Sequence, residues 1–238
     1  MTIPFFAIEL DPYWFPCDGE WLGVPHGANV LTNLPFLVIG LWGLLRLRRT
    51  GGPGAADGNR VALWTSVALL AFGSGAYHVY LTPATLAADR VCISAILAFA
   101  VAEVLALVWP RWRRASVSLG LLALTQLSIV VWLLGGTSVL YGMLQAVGSL
   151  AMAWVAVRAW RTGRLPGAAL RSLFLFIALY VLAKGAELLD EPICRWTGLF
   201  GGHPLKHLLA AAALAALVPW LGVSVRGSMP LPQTPSGR

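Results

Sequence analysis

Three histidines have the residue type and the spacing of a metal site. His203 and His207, in the segment GGHPLKHLLAA, are four residues apart and share one face of a helix. His78 lies at the end of another apolar run, and Ser74 precedes it by one helical turn. Three neutral imidazoles bind Zn²⁺ and leave a fourth position for water, as in catalytic zinc sites. The pattern therefore predicts one zinc ion held by His78, His203 and His207.

Two more polar residues fit a hydrolytic role beside these histidines. Asp89 follows His78 by eleven residues, and we expect it to open the next helix. Zinc lowers the pKa of bound water from about 15.7 to roughly 7, and Asp89 could accept the water proton as general base. Ser74 could donate a hydrogen bond to the carbonyl oxygen of a substrate. Within the segment GSG it could equally be a small residue that lets two helices pack closely.

The elements that must position these residues are membrane-spanning helices. Of the 238 residues, 58% are hydrophobic and 11% are charged, and the mean hydropathy is +0.74. A chain of this size could not bury so much apolar surface in water, which excludes a soluble enzyme, a disordered chain and a disulfide scaffold. The net charge of +7 does not indicate nucleic-acid binding, because Lys and Arg form short clusters between apolar runs.

Seven apolar runs are long enough to cross a bilayer, which takes about 20 residues. They lie at residues 28–47, 61–80, 90–109, 115–134, 138–158, 168–188 and 204–225. We therefore predict an all-α membrane protein with a seven-helix domain over residues 28–225. Residues 1–27 form an outer segment in this prediction, without a signal peptide, and residues 226–238 form a disordered cytoplasmic tail.

The basic residues predict the orientation of these helices. If the N-terminus is outside, 13 of the 17 Lys and Arg lie on the inner side and eight of the ten acidic residues lie on the outer side. This places the C-terminus in the cytoplasm and the three histidines toward the outer face. Because the chain is rich in Ala, Gly and Arg, we expect a bacterial inner membrane.

The sequence resembles the alkaline ceramidases, within a seven-helix hydrolase group that also includes the progestin and adipoQ receptors. The matching motifs span nearly the whole chain in the family order: Asn29-Val30-Leu31-Thr32-Asn33, Ser74 with His78, Asp89 at the family spacing, and His203 with His207. The resemblance implies zinc on the three histidines, with Ser74 and Asp89 at the reacting centre. It implies hydrolysis of the amide bond of ceramide or a related N-acyl lipid, giving a fatty acid and a long-chain base.

Several residues around these motifs are expected to support the site. Asn29 and Asn33 belong to the first motif of the resemblance. In the stretch before the last histidines, which looks like the bacterial members, Lys184 and Glu187 are one helical turn apart and can pair. We interpret Lys184, Glu187 and Asp190 as structural.

The N-terminal segment departs from the family pattern. In the ceramidases this segment binds calcium, which prefers several oxygen ligands, and Asp18 and Glu20 are the candidates here. His26 stands where the family has Glu, which argues against calcium.

A disulfide between Cys17 and Cys194 could anchor this segment instead. Both cysteines fall on the predicted outer, oxidising side. Two free thiols are an equal alternative. Cys92 is expected to be buried and free.

Four functions are compatible with these features. The first is an amidase whose lipid substrate enters laterally from the outer leaflet. We expect this enzyme to bind no nucleic acid and to need no obligate protein partner. The others are a lipid-ester hydrolase, a lipid-sensing receptor of the adipoQ type with structural zinc, and a transporter or proton channel. A structural zinc normally has four protein ligands, and no fourth ligand better than Asp89 is present. Glu103 and Gln126 stand alone in the inner halves of the helices, and we expect them to be buried and hydrogen-bonded rather than part of a transport path.

Overall fold

The computed structural model of the protein describes residues 17–50, 55–112, 114–163 and 167–221. These residues form α-helices joined by short connections, with a 3₁₀ turn at Pro110–Trp112 and no β-sheet, which confirms the all-α prediction. The helices are α1 (Gly27–Leu31), α2 (Leu34–Thr50), α3 (Ala55–Tyr80), α4 (Pro83–Val108), α5 (Ala115–Gly135), α6 (Val139–Arg161), α7 (Gly167–Leu188), α8 (Asp190–Thr197) and α9 (Gly202–Leu221).

Six helical segments in the described residues are long and apolar enough to cross a membrane. They are Gly27–Thr50, which combines α1 and α2, and then Pro83–Ala106, Ala115–Gly135, Val139–Arg161, Gly167–Leu188 and Gly202–Leu221. The predicted multi-pass membrane character is therefore supported by six helices. The remaining predicted span, 61–80, lies within the 26-residue helix α3. The last two turns of α3 carry Ser74, Tyr77 and His78, and these residues lower its hydropathy.

Several helix boundaries differ from the sequence prediction. The first span is broken after α1, at residues 32–33. The helix α4 begins at Pro83, so Asp89 lies in its second turn. The prediction that Asp89 opens this helix is therefore wrong. The reason is a capping box, in which Thr82 and Thr85 exchange hydrogen bonds at the helix start. The short helix α8 was not predicted. The predicted tail 226–238 and residues 1–16 of the outer segment lie outside the described residues.

The helix α3 packs between α2 and α4. Gly40 allows α2 to approach it, because a Cβ on this residue would lie 2.7 Å from the Cβ of Ala68. On its other side α3 packs against α4. The indole of Trp64 is fully buried and donates a hydrogen bond of 3.2 Å to the carbonyl oxygen of Leu221, at the end of α9. These contacts fix α3 and α9 relative to each other.

A buried ion pair joins α3 to α4 at the end of the bundle away from His78. Arg60 Nε donates to Glu103 Oε2 over 2.8 Å, and Asn59 Nδ2 donates to Glu103 Oε1 over 2.8 Å. Glu103 is thus buried and hydrogen-bonded, as predicted. Gln126 donates a hydrogen bond to the carbonyl oxygen of Val91, but it is only half-buried, because its part of α5 lies at the surface of the bundle.

Candidate metal centre and its cavity

The fold brings the three predicted metal ligands together. His78 comes from the end of α3, and His203 and His207 come from the first turns of α9. One potential ligand atom from each ring lies within 4.8 Å of the other two, and the ring centroids are 4.9–5.1 Å apart in edge-to-face arrangements. All three side chains are buried. The group could hold a metal ion, and three imidazole nitrogens form a donor set that is compatible with zinc.

Hydrogen bonds from the α1 segment orient the ring of His207. The Thr32 hydroxyl donates to the carbonyl oxygen of Ala28 over 2.7 Å, so its oxygen can accept from His207 Nδ1, 3.0 Å away. A proton held on Nδ1 leaves Nε2 as the nitrogen with a free lone pair for a metal. The first motif therefore fixes the tautomer of a candidate ligand.

The start of α9 is positioned by Asp190 and Gly202. Asp190 Oδ1 accepts a hydrogen bond of 2.7 Å from the backbone N–H of His203. A carboxylate at this place also interacts favourably with the positive end of the helix dipole. Gly202 lies directly against α7: a Cβ there would lie 2.9 Å from the carbonyl carbon of Ala186. Asp190 and Gly202 therefore both contact the start of α9.

Ser74 and Asp89 are buried and line the same cavity as the histidines. They come from neighbouring helices that approach closely at Gly73. A Cβ on Gly73 would lie 3.0 Å from the carbonyl oxygen of Ala88 and 3.3 Å from the backbone nitrogen of Asp89. Small residues thus permit the close packing of α3 and α4, and this packing places Ser74 and Asp89 beside the candidate ligands.

The cavity has a volume of about 350 Å³ and is lined by residues of α2, α3, α4, α6, α7 and α9. Most of its wall is apolar, including Leu70, Ile96, Met152, Phe176 and Leu214. The histidines, Ser74 and Asp89 supply a polar region in that wall. A cavity with this lining suits an amphipathic ligand that has a hydrocarbon chain and a polar group.

The buried Arg90 lines this cavity and was not predicted as a site residue. Its Nη1 donates to Ser138 Oγ over 2.9 Å, and its guanidinium carbon lies 4.2 Å from the ring centroid of Trp132 and 5.0 Å from that of Tyr141. These contacts are cation–π interactions. The sequence offered only the position of Arg90 next to Asp89 as a signal, since its aromatic partners come from α5 and α6.

The predicted pair of Lys184 and Glu187 is present, with 2.8 Å between Nζ and Oε2. The structure adds Lys206, whose Nζ lies 2.7 Å from the other carboxylate oxygen of Glu187. Because Lys206 belongs to α9, the three side chains connect α7 to α9. All three line the cavity.

The N-terminal segment is attached at the same end of the bundle. Of the two alternatives for Cys17 and Cys194, the structure has the disulfide. Cys92 is free and half-buried.

Asp18 is buried beside this disulfide, and both of its carboxylate oxygens have partners. Asn29 Nδ2 donates to Oδ1 over 2.6 Å, and His26 Nδ1 lies 2.7 Å from Oδ2. Asn33 Nδ2 in turn donates to the carbonyl oxygen of Asn29 over 2.7 Å. Burial raises the pKa of the Asp18 carboxyl above its usual value, while His26 and Asn29 act in the opposite direction. Glu20 is exposed and, in the described part of the chain, belongs to no three-residue metal-ligand group with Asp18.

Comparisons with family models and with curated proteins found no match to the chain. The resemblance to the ceramidases therefore rests on the motifs themselves and on their spacing.

Proposed function

We propose that the protein is an intramembrane zinc-dependent hydrolase that cleaves the amide bond of ceramide or a related N-acyl lipid. One observation carries this proposal: three buried histidines from two helices converge in an amphipathic cavity that Ser74 and Asp89 also line. The apolar wall suits an acyl chain. Three ligands, rather than the four of a structural site, would leave a position for water, which favours hydrolysis over a purely structural zinc.

The residues of the cavity divide the chemistry among them. His78, His203 and His207 would hold the zinc, and the ion would supply an activated water and polarise the amide carbonyl. Asp89 accepts a proton from the attacking water as the oxygen–carbon bond forms. Ser74 donates a hydrogen bond to the carbonyl oxygen as negative charge develops on it. When the carbon–nitrogen bond breaks, Asp89 returns the proton to the leaving nitrogen, which yields a fatty acid and a long-chain base.

The proposal includes a seventh membrane span in α3 and an N-terminus outside the cell. At 1.5 Å per residue, the 26 residues of α3 extend about 39 Å, which exceeds the thickness of the hydrocarbon layer. The faces of α3 that pack against α2 and α4 need less hydropathy than a face turned toward lipid. The proposed orientation puts the disulfide on an oxidising side and most arginines in the cytoplasm. The lipid substrate would enter laterally from the outer leaflet of a bacterial inner membrane.

The test is fatty acid release from a panel of ceramides, other N-acyl lipids and matched esters by the purified protein in detergent. Each assay is run on the protein as isolated, after chelation, and after zinc is restored. We expect amide cleavage that chelation abolishes and zinc restores. Inactivity of zinc-loaded protein on every amide would overturn the amidase, and cleavage of the esters alone would replace it with an esterase.

Two further measurements test the ligands and the topology. His203→Ala and His207→Ala should each remove zinc while the protein still inserts into the membrane, and stoichiometric zinc in both variants would show that the ligands are wrong.

A reporter fused to the C-terminus should report a cytoplasmic location. An external reporter would refute the orientation.

A further inference from the structure

The ion cluster of Lys184, Glu187 and Lys206 contains more positive than negative charge. Each lysine contacts a different oxygen of the same carboxylate, at 2.8 Å and 2.7 Å. Their side chains are 45% exposed for Lys184, 33% for Glu187 and 20% for Lys206, so the cluster lies at the accessible rim of the cavity. One lysine would suffice to pair with Glu187. Lys206 alone connects α9 to Glu187 on α7, so Lys184 is unnecessary if the cluster only joins these two helices.

The cavity as a whole also carries a net positive charge. Among the described residues that line it, the charged ones are Asp89, Arg90, Lys184, Glu187 and Lys206, which makes three cations and two anions. Three neutral imidazoles add no negative charge, and a divalent metal on them would add two positive charges. Charged side chains within a membrane protein are costly and usually serve a ligand or a pathway. The net positive charge favours a ligand with an anionic group.

The position of Lys206 connects the cluster to the reaction. It directly precedes His207 on α9, and Lys184 reaches the same carboxylate from α7. Both lysines line the cavity that the three histidines also line, so an anion bound to their ammonium groups would lie in the same cavity as the bond under attack. Ammonium groups bind phosphate and carboxylate through charge-assisted hydrogen bonds.

We infer that Lys184 and Lys206 form a subsite for an anionic group of the substrate, a phosphate or a carboxylate close to the scissile amide. This inference rests on the proposed hydrolase function and narrows its substrate class to acidic N-acyl lipids. Glu187 holds the two ammonium groups in place and partly offsets their charge.

The first experiment compares matched substrates that differ in charge. Ceramide 1-phosphate is paired with ceramide, and N-acyl glycine with N-acyl ethanolamine, so that the two pairs distinguish phosphate from carboxylate. The readout is the ratio of kcat/KM for the acidic member to that for the neutral member. We expect a ratio of roughly 10 to 100 for one pair, the range typical of a hydrogen bond to a charged group. Ratios near one for both pairs overturn the inference.

Variants separate anion binding from a structural role. Lys206→Met should lower the ratio, while Glu187→Gln, which removes the offsetting charge, should raise it. A cluster that only holds α7 against α9 would leave the ratio unchanged in both variants, and that result would refute the subsite. Arg195→Met is the matched control, because Arg195 pairs with Glu191 on α8 and is absent from the cavity lining, and it should retain the ratio of the unmodified protein.

A binding measurement keeps this inference separate from the hydrolase proposal. Dodecyl phosphate should raise the Tm of the zinc-loaded protein in detergent more than dodecanol does, and Lys206→Met should remove that difference. If the protein hydrolyses nothing but shows this difference, the hydrolase fails and the anionic subsite stands. If it cleaves neutral and acidic amides equally and both probes shift the Tm alike, the subsite fails and the hydrolase stands.

Discussion

The contact of Gly202 with α7 gives the sharpest prediction about the candidate metal centre. In Gly202→Ala, the added methyl would overlap the carbonyl oxygen of Ala186 and lie 2.9 Å from its carbonyl carbon and 3.0 Å from the Cα of Asp190. Carbon atoms in contact are normally about 3.5–4.0 Å apart, so the start of α9 must move by about 0.5 Å or more. The atoms in the way are backbone atoms of α7 and α8, which cannot rotate aside as a side chain can.

A movement of this size exceeds what a zinc site tolerates. Ligand distances in metal sites stay within about 0.2 Å of their usual values, and His203 directly follows Gly202. The shift would also lengthen the hydrogen bond from His203 N to Asp190. We therefore expect zinc affinity to fall by about 10- to 100-fold, the usual effect of disturbing the supports of a metal ligand. Overpacking should lower the free energy of unfolding by about 1–3 kcal/mol.

The assay is competition for zinc with a chelator of known affinity, together with thermal unfolding of the metal-free protein in detergent. Gly185→Ala is the matched control, because Gly185 lies on α7 next to Ala186 and a Cβ there meets nothing within 4 Å. It should bind zinc like the unmodified protein. Equal zinc affinity in Gly202→Ala would refute the argument that this close approach sets the positions of His203 and His207.

Other variants test the remaining supports of the structure. Thr32→Val removes the hydroxyl acceptor near His207 Nδ1 and should weaken zinc binding about tenfold, while Thr32→Ser should not; equal affinities in chelator competition would contradict this. Arg60→Met leaves Glu103 buried without its guanidinium partner and should cost about 3–5 kcal/mol in unfolding with unchanged zinc content; a loss below about 1 kcal/mol would show that the pair is dispensable. Asp18 has a pKa above its ordinary 3.8 in the folded protein, so its contribution to stability is greatest below pH 3.8 and declines as pH rises through the raised value. Asp18→Asn should remove this part of the dependence of Tm on pH, and an unchanged profile would contradict it.

The histidine triad could be predicted from sequence because each histidine is marked locally. His203 and His207 are four apart in an apolar helix, and His78 ends a run of similar length. The helical class and most helix lengths follow in the same way from hydropathy alone. The extra turns of α4 were missed because Thr82, Pro83 and Thr85 form a capping motif in a segment that hydropathy assigns to a loop.

Contacts between distant segments could not be predicted in this way. Thr32 meets His207 from 175 residues away, Arg90 meets Trp132, and Lys206 joins Glu187 from another helix. Nothing in the local sequence of these residues distinguishes them from ordinary interfacial residues. Their roles depend on which helices are neighbours, and a single sequence does not contain that information.

The disulfide gives the chain the covalent topology of a ring with a tail at each end. Residues 17–194 form the ring, which contains α1 to α7 and the start of α8, whereas α9 follows outside it. Cutting any one peptide bond between residues 18 and 193 leaves the oxidised protein in one covalent piece, and only a reducing gel would reveal the fragments. A cut between residues 195 and 201 releases α9 with His203 and His207 under any redox condition. The two histidines of α9 are therefore held to His78 by packing and by one short peptide linkage.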